Sequence, residues 1–328
     1  MALIAHASRK KKVFEWILRS VIAMFALGYG LSVVFTDSKG APMLWTISAS
    51  MASLFVLLLF RHFRSLVSKV LTFVDGIASL RVITGPWRHK MTPMQSIIDR
   101  QIFLADSMPH LNGIFCYICC FGVYLGNLNL GPGFNIPLPG LPIQMDTLIK
   151  YNGLGLILVS AFGCGLFVGR RPIECFVQRL GWQKPTLRQV GIAMGLVAFS
   201  MAFDALWSMH SHTTVGAASQ ISAYNAGTFA APKIEDAMLL AVATALCAGI
   251  GEETLIRGAF QPVLGIVPSA FLHGIMHAQF HHAPELVLQI SVWSCCVGIV
   301  RRFTNTTTTI IAHATFNLIF VFLFAYNP

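Results

Sequence analysis

Apolar runs of about 20 residues, the length that crosses a ~30 Å hydrocarbon core, recur along the whole 328-residue chain. Nine such runs are placed at 17–36, 43–61, 111–128, 151–169, 189–209, 237–256, 266–281, 284–300 and 306–326. The composition agrees: 55% of residues are hydrophobic and 11% charged, against ~25% charged in a soluble domain. Mean hydropathy is +0.68. The expected fold is therefore all-α, a polytopic membrane helical bundle with nine transmembrane helices.

The net charge of +10 raises nucleic acid as a partner, and the placement of the charge argues against it. Basic residues cluster between apolar runs, at Arg9 to Lys12, Arg61 to Arg64, Arg81 to Lys90, Arg170 and Arg171, Arg179 to Arg188, and Arg301 and Arg302. Cytoplasmic loops carry that excess. With the N-terminus cytoplasmic, 61–110, 170–188, 257–265 and 301–305 fall inside, and the Lys- and Arg-poor 37–42, 129–150 and 210–236 fall outside. A basic start before an apolar run resembles a signal peptide. Here the run is long and lacks a small-x-small site, so an uncleaved first helix is expected. The partner is the lipid bilayer, and no nucleic acid is expected.

Residues 62–110 do not read as a span. Leu66, Val70, Phe73, Val74, Ile77 and Leu80 form an apolar face, with Lys69 and Arg81 among polar positions. That pattern suits an interfacial amphipathic helix, and a plain structured loop stays open beside it. Residues 129–147 are rich in Gly and Pro and 210–235 in Ser, Thr, Ala and Gly, so both read as external loops. Of eight cysteines, seven lie in apolar runs and Cys175 in a basic loop. Cys116 and Cys119 form a C-x-x-C with no second pair at zinc-ribbon spacing. No disulfide framework or structural zinc is expected.

The chain has 13 acidic residues, and two of them, Glu252 and Glu253, are adjacent at the end of the sixth apolar run. A charge at membrane depth costs about 2.5–3.5 kcal/mol or more, so such groups have a partner or a task. Glu253 and Arg257 are four apart on one helical face, a favourable pairing. Glu252 is rotated about 100° away and is left for base chemistry. A purely structural Glu–Arg clamp is the bland alternative. The seventh run carries His273 and His277 at i and i+4, then His281 and His282, which read as interfacial. The ninth carries His313 and Asn317, whose donors suit a developing oxyanion or serve as helix–helix glue.

Taken together, Glu252-Glu253-Thr-Leu-Ile-Arg257, His273-Gly-Ile-Met-His277 and His313-Ala-Thr-Phe-Asn317 resemble the CPBP family of intramembrane proteases, which includes the CAAX prenyl endopeptidases. The resemblance covers roughly 190–326. It divides the chain into an N-terminal transmembrane region, 1–188, and a CPBP-like catalytic core, 189–328. It implies an intramembrane endopeptidase that cuts a membrane-associated or lipid-anchored protein or peptide near its C-terminus. Glu252 and His277 would activate water, and His313 and Asn317 would hold the oxyanion. Glu253 and Arg257 would brace the site, or Arg257 would orient the substrate. The family usually has Phe where this chain has His273, which makes His273 an extra polar group that either extends the site or simply fills the Phe position. H-E-x-x-H is absent, and the resemblance favours a metal-free mechanism with no cofactor. Zinc on Glu252, His277 and His313 is the metal-dependent alternative. A bacterial inner membrane is the expected location.

A non-catalytic immunity or scaffold protein on the same fold is a second reading. A proton-coupled transporter using Asp204 is a third, without the internal repeat such proteins show. Depth adds a constraint. At 1.5 Å per residue, Glu252 lies about 22 Å along its span from Ala237 and His277 about 13 Å along the next from Pro268. That roughly 8 Å offset in a ~30 Å core is left to helix tilt.

Overall fold

The computed structural model of the chain describes residues 1–8, 11–36, 41–78, 102–130, 144–165, 173–210, 227–231 and 233–325. The basic positions Arg9, Lys10, Arg81 to Lys90, Arg170 and Arg171, and most of the two expected external loops, lie outside the described residues. The described residues are helical and contain no strand. Among the described residues, seven helices are long and apolar enough to cross a membrane. Five follow single expected runs closely: α2 (Lys12–Phe35), α3 (Pro42–Leu59), α5 (Met108–Leu130), α8 (Leu187–His210) and α11 (Pro284–Phe303). The others are α12 (Thr306–Ala325) and α9 (Ile234–Glu253), which continues without a break to Leu264.

Among the described residues the count of nine is not reached. The seventh expected run forms α10 (Ile266–Met276), 11 residues long, or about 16 Å of helix, too short for a hydrocarbon core. His277 leaves the helical region with ψ of 78° and precedes a 3-10 turn at Ala278–Phe280. The fourth expected run is helical to Gly163, first as a π-helix (Leu148–Gly155) and then as α6 (Leu156–Gly163). It does not join the seven.

The chain divides into two compact units. Unit 1 comprises Met1–Leu130, Phe162–Arg170 and Phe260–Pro268. Its core joins Leu18 and Ile22 of α2, Met51, Phe55 and Leu58 of α3, and Leu111, Phe115 and Ile118 of α5. Phe25 and Phe115 meet edge to face at 5.1 Å between centroids. Helix α4 (Arg61–Ala78) is amphipathic in an unusual sense. Its Arg64, Ser68 and Asp75 are buried, whereas Leu66, Val70, Phe73 and Ile77 are all more than half exposed. Arg64 donates to the carbonyls of Ala105, Leu58 and Leu59 at 2.8, 2.8 and 2.9 Å. Ser68 donates to the Phe103 carbonyl. Asp75 accepts the Ile266 N–H at 3.0 Å and so satisfies a free donor at the start of α10. A helix with an outward apolar stripe is thus present over 61–78, and 79–101 of the expected segment lie outside the described residues.

Unit 2 comprises Gly131–Ala161, Arg171–Ala259 and Ser269–Pro328. Small residues bring its backbones together. Ala241, Ala245, Ala248 and Gly249 lie buried along α9. A Cβ on Gly249 would fall 2.8 Å from the Cβ of Ala314 on α12, so only glycine allows that approach. In a bilayer, such packing takes the place of a hydrophobic driving force. A Cβ on Gly274 of α10 would likewise fall 2.6 Å from the Val287 carbonyl of α11.

Candidate active site

The site is built on α9, α10, α11 and α12, within unit 2. Helix α9 widens into a π-helix at Thr254–Phe260, immediately after the two glutamates. Such segments often mark functional sites. This one is braced by the chain following α7 (Ile173–Leu180) and by α7 itself. The Trp182 indole donates to Thr254 Oγ1 at 3.0 Å and Arg179 donates to the Gly258 carbonyl at 2.9 Å.

Glu253 and Arg257 are both fully buried and pair at 3.3 Å. The i, i+4 pairing read from sequence is therefore present despite the π geometry. Glu253 also meets His313, whose Nδ1 lies 3.1 Å from its Oε1. A carboxylate accepts, so His313 donates from Nδ1. Glu252 is not left alone either. Its Oε2 lies 2.8 Å from His273 Nε2. The adjacent glutamates thus each take a different histidine, as their 100° separation on the helix requires.

His273 and His277 differ sharply in burial. His273 is 1% exposed, and its Nδ1 lies 3.2 Å from the Ser294 hydroxyl. Ser294, fully buried on α11, also receives Arg257 Nη2 at 2.8 Å. His277 is half-buried at the end of α10, with Nδ1 2.9 Å from the His273 carbonyl. A carbonyl only accepts, so His277 donates from Nδ1 and in its neutral form presents the Nε2 lone pair. Glu252, His273 and His277 place their oxygen and nitrogen ligand atoms within 4.8 Å of one another. The depth offset expected from sequence is therefore absent: α10 is short, and its C-terminal end lies at Glu252.

Trp293, next to Ser294, packs against two histidines that also meet each other at 5.9 Å between centroids. Its ring centroid lies 5.0 Å from that of His313 and 5.8 Å from that of His273. Its indole is anchored by donation to Ser200 at 2.8 Å. Neither Trp293 nor Ser294 stands out in the sequence, because each is an ordinary residue on an apolar helix with no charge or spacing to mark it. Asn317 is half-buried one turn beyond His313, and its amide has no hydrogen-bond partner among the described residues.

His281, expected at the interface, is buried by the protein itself. It is 2% exposed, and its Nε2 donates to the Ile275 carbonyl at 2.7 Å. The chain turns back after Met276, so His281 satisfies a carbonyl in the last turn of α10. The expected metal set also changes: among the described residues His273, rather than His313, joins Glu252 and His277. Asp204, the residue a transporter would use, accepts from Gln289 at 2.9 Å.

The family model described as type II CAAX prenyl endopeptidase Rce1-like matches residues 234–319. That stretch begins at α9 and contains Glu252, Glu253, Arg257, His273, His277, His313 and Asn317. No curated protein and no solved structure matches the chain. The match supports a CAAX-type endopeptidase in general and an integral membrane location, and it implies a prenylated, membrane-associated protein substrate as a class. Residues 234–319 of this all-helical chain thus carry the CPBP family's type II CAAX prenyl endopeptidase, Rce1-like, pattern, as the three motifs imply.

Proposed function

We propose that the protein is an intramembrane endopeptidase that hydrolyses a peptide bond near the C-terminus of a lipid-anchored protein, with Glu252 as general base. The observation that carries this reading is the meeting of Glu252, His273 and His277 within 4.8 Å on the stretch that matches the family. Glu252 Oε2 is occupied by His273, so Oε1 is the oxygen for a water proton. The Nε2 of His277 is the second acceptor at the same place. Water loses a proton to Glu252 as its oxygen attacks the peptide carbonyl. Collapse of the tetrahedral intermediate breaks the C–N bond and returns the proton to the leaving amine.

His313 and Asn317 serve the oxyanion. With Nδ1 turned to Glu253, His313 donates to the oxyanion only as an imidazolium, a charge that Glu253 offsets. The Asn317 amide donates whatever the state of the imidazole. Arg257 pairs with Glu253 and holds it in place.

A metal-dependent variant has one observation in its favour, the same cluster. Glu, His and His are a fitting zinc donor set, and the His277 Nδ1–carbonyl bond is of the kind that orients metal-bound histidines. Two ligands of a tetrahedral zinc stand about 3.3 Å apart, given metal–ligand bonds near 2.0–2.1 Å. Glu252 and His273 are at 2.8 Å, in direct hydrogen-bond contact, so a cation would have to separate them. The glutamate-base reading needs no such change.

The test is cleavage of a farnesylated peptide ending in a CaaX sequence by the purified full-length chain, followed by mass spectrometry. Release of the C-terminal tripeptide by wild type, lost in Glu252→Gln and His277→Ala and insensitive to a strong zinc chelator, is the expected result. Loss on chelation, restored by added zinc, would shift Glu252 to a ligand. Cleavage surviving in Glu252→Gln would remove it from the mechanism.

A further inference from the structure

We propose that Ser294 is a positioning residue for Glu252, acting through His273 in a directed series of hydrogen bonds, Arg257 to Ser294 to His273 to Glu252. What Glu252 does at the end of the series rests on the protease reading above; the series itself rests on donor and acceptor chemistry.

Arginine only donates. Its Nη2, 2.8 Å from Ser294 Oγ, therefore takes a lone pair of the hydroxyl and leaves the hydroxyl proton to be given elsewhere. Ser294 is fully buried, and the only other partner of its side chain among the described residues is His273 Nδ1 at 3.2 Å. If His273 donated to Ser294, the serine proton would be buried without an acceptor, at the desolvation cost such groups carry. The arrangement that satisfies every group has Ser294 donating to His273 Nδ1. The His273 proton then sits on Nε2 and goes to Glu252 Oε2 at 2.8 Å. Ser294 and His273 each donate once and accept once along the series.

Two consequences concern the base. Glu252 Oε2 is held by a neutral imidazole whose tautomer is fixed from behind, so the carboxylate cannot rotate freely and Oε1 is presented to the substrate side. Arg257 also bears on both glutamates, on Glu253 directly and on Glu252 through two neutral groups. Trp293 packs against the His273 ring at 5.8 Å between centroids.

The experiment reads the tautomer first and activity second. The full-length chain, labelled with 15N-histidine in detergent micelles, gives imidazole nitrogen signals, with that of His273 assigned by its loss in His273→Phe. The expected wild-type pattern is an Nε2–H, Nδ1-bare ring. Ser294→Ala should turn it into a tautomer mixture, and Ser294→Thr, which keeps the hydroxyl, should restore it. Ser294→Cys, a weaker donor of similar volume, supplies the same comparison if the alanine variant does not fold. On the farnesylated CaaX peptide, Ser294→Ala should lower kcat by about ten- to a hundredfold, the scale of misplaced catalytic groups. KM should stay within about twofold, and threonine should recover the rate.

A wild-type ring protonated on Nδ1, or a pattern untouched by Ser294→Ala, would overturn the proposal. The first result would also fit a cation on Nε2. A pattern that responds as expected in a chain that cleaves no peptide would leave the series standing and remove the protease reading instead.

Discussion

Buried charge is handled in opposite ways in the two units. In unit 1, Arg64 gives its protons to three backbone carbonyls and Asp75 accepts a backbone N–H. Those side chains end on main-chain groups, and the Leu59 carbonyl accepts from Arg19 as well. In unit 2, Glu252, Glu253, Arg257, His273, Ser294 and His313 end on one another. Pairing buried charges side chain to side chain is expensive and no better for stability than well-packed apolar residues. Main-chain-satisfying charges therefore read as structural, and a mutually paired set that leaves Glu252 Oε1, His277 Nε2 and the Asn317 amide uncommitted among the described residues reads as chemical.

The sharpest way to break this comparison is Glu252→Gln. The amide keeps the shape and can still accept from His273, so the unfolding transition in detergent should move little. Cleavage of the farnesylated peptide should fall by roughly three orders of magnitude, within the range of lost general-base catalysis. A large loss of stability with activity per folded molecule intact would place Glu252 with the structural charges.

Arg257→Met comes next. It leaves Glu253 buried without its cation, and breaking such a pair costs about 3–5 kcal/mol. Denaturant unfolding should show that loss, and adding Glu253→Gln should recover much of it by removing the stranded charge. If the two changes are additive, they are not a pair in the folded protein. Arg64→Met should cost less, about 2–3 kcal/mol, as its charged hydrogen bonds to the carbonyls of Leu58, Leu59 and Ala105 are lost. Activity per folded molecule should not change.

Much of unit 2 was legible in the sequence because intramembrane charge is rare. Glu252, Glu253, Arg257, His273, His277, His313 and Asn317 stand out against apolar helices, and i, i+4 spacing foretold the Glu253–Arg257 pair. Spacing carries no record of where a helix stops. Ile266–Met276 is as apolar as a span, and nothing in its residue types shows that the chain turns at His277. The expected seventh span followed from that single unseen turn. Ser294 and Trp293 were invisible for another reason: a serine or tryptophan on an apolar helix gains meaning only from its neighbour across the packing. The amphipathic pattern of 62–78 was visible, but not its sense. Arg64 and Asp75 point inward because backbone groups of 58, 59, 105 and 266 await them there, and local sequence does not encode that.

The smallest expected effect sharpens the comparison most, because it applies the same chemical change in both units. Asp75→Asn, like Glu252→Gln, replaces a carboxylate oxygen by an amide and keeps an oxygen for the bond in hand. The Ile266 N–H needs an acceptor at the start of α10 and has no need of a charge, since aspartate and asparagine cap helices about equally well. Asp75→Asn should therefore cost under about 1 kcal/mol and leave cleavage unchanged, whereas Asp75→Ala, which removes the acceptor, should cost about 1–2 kcal/mol. Thermal unfolding in detergent, with the peptide assay on the same samples, measures both. A carboxylate that an amide can replace is holding the backbone. One that it cannot replace, in a protein still folded, is exchanging a proton. Should Asp75→Asn abolish cleavage, that distinction fails, and a charge in unit 1 must be counted with the chemistry.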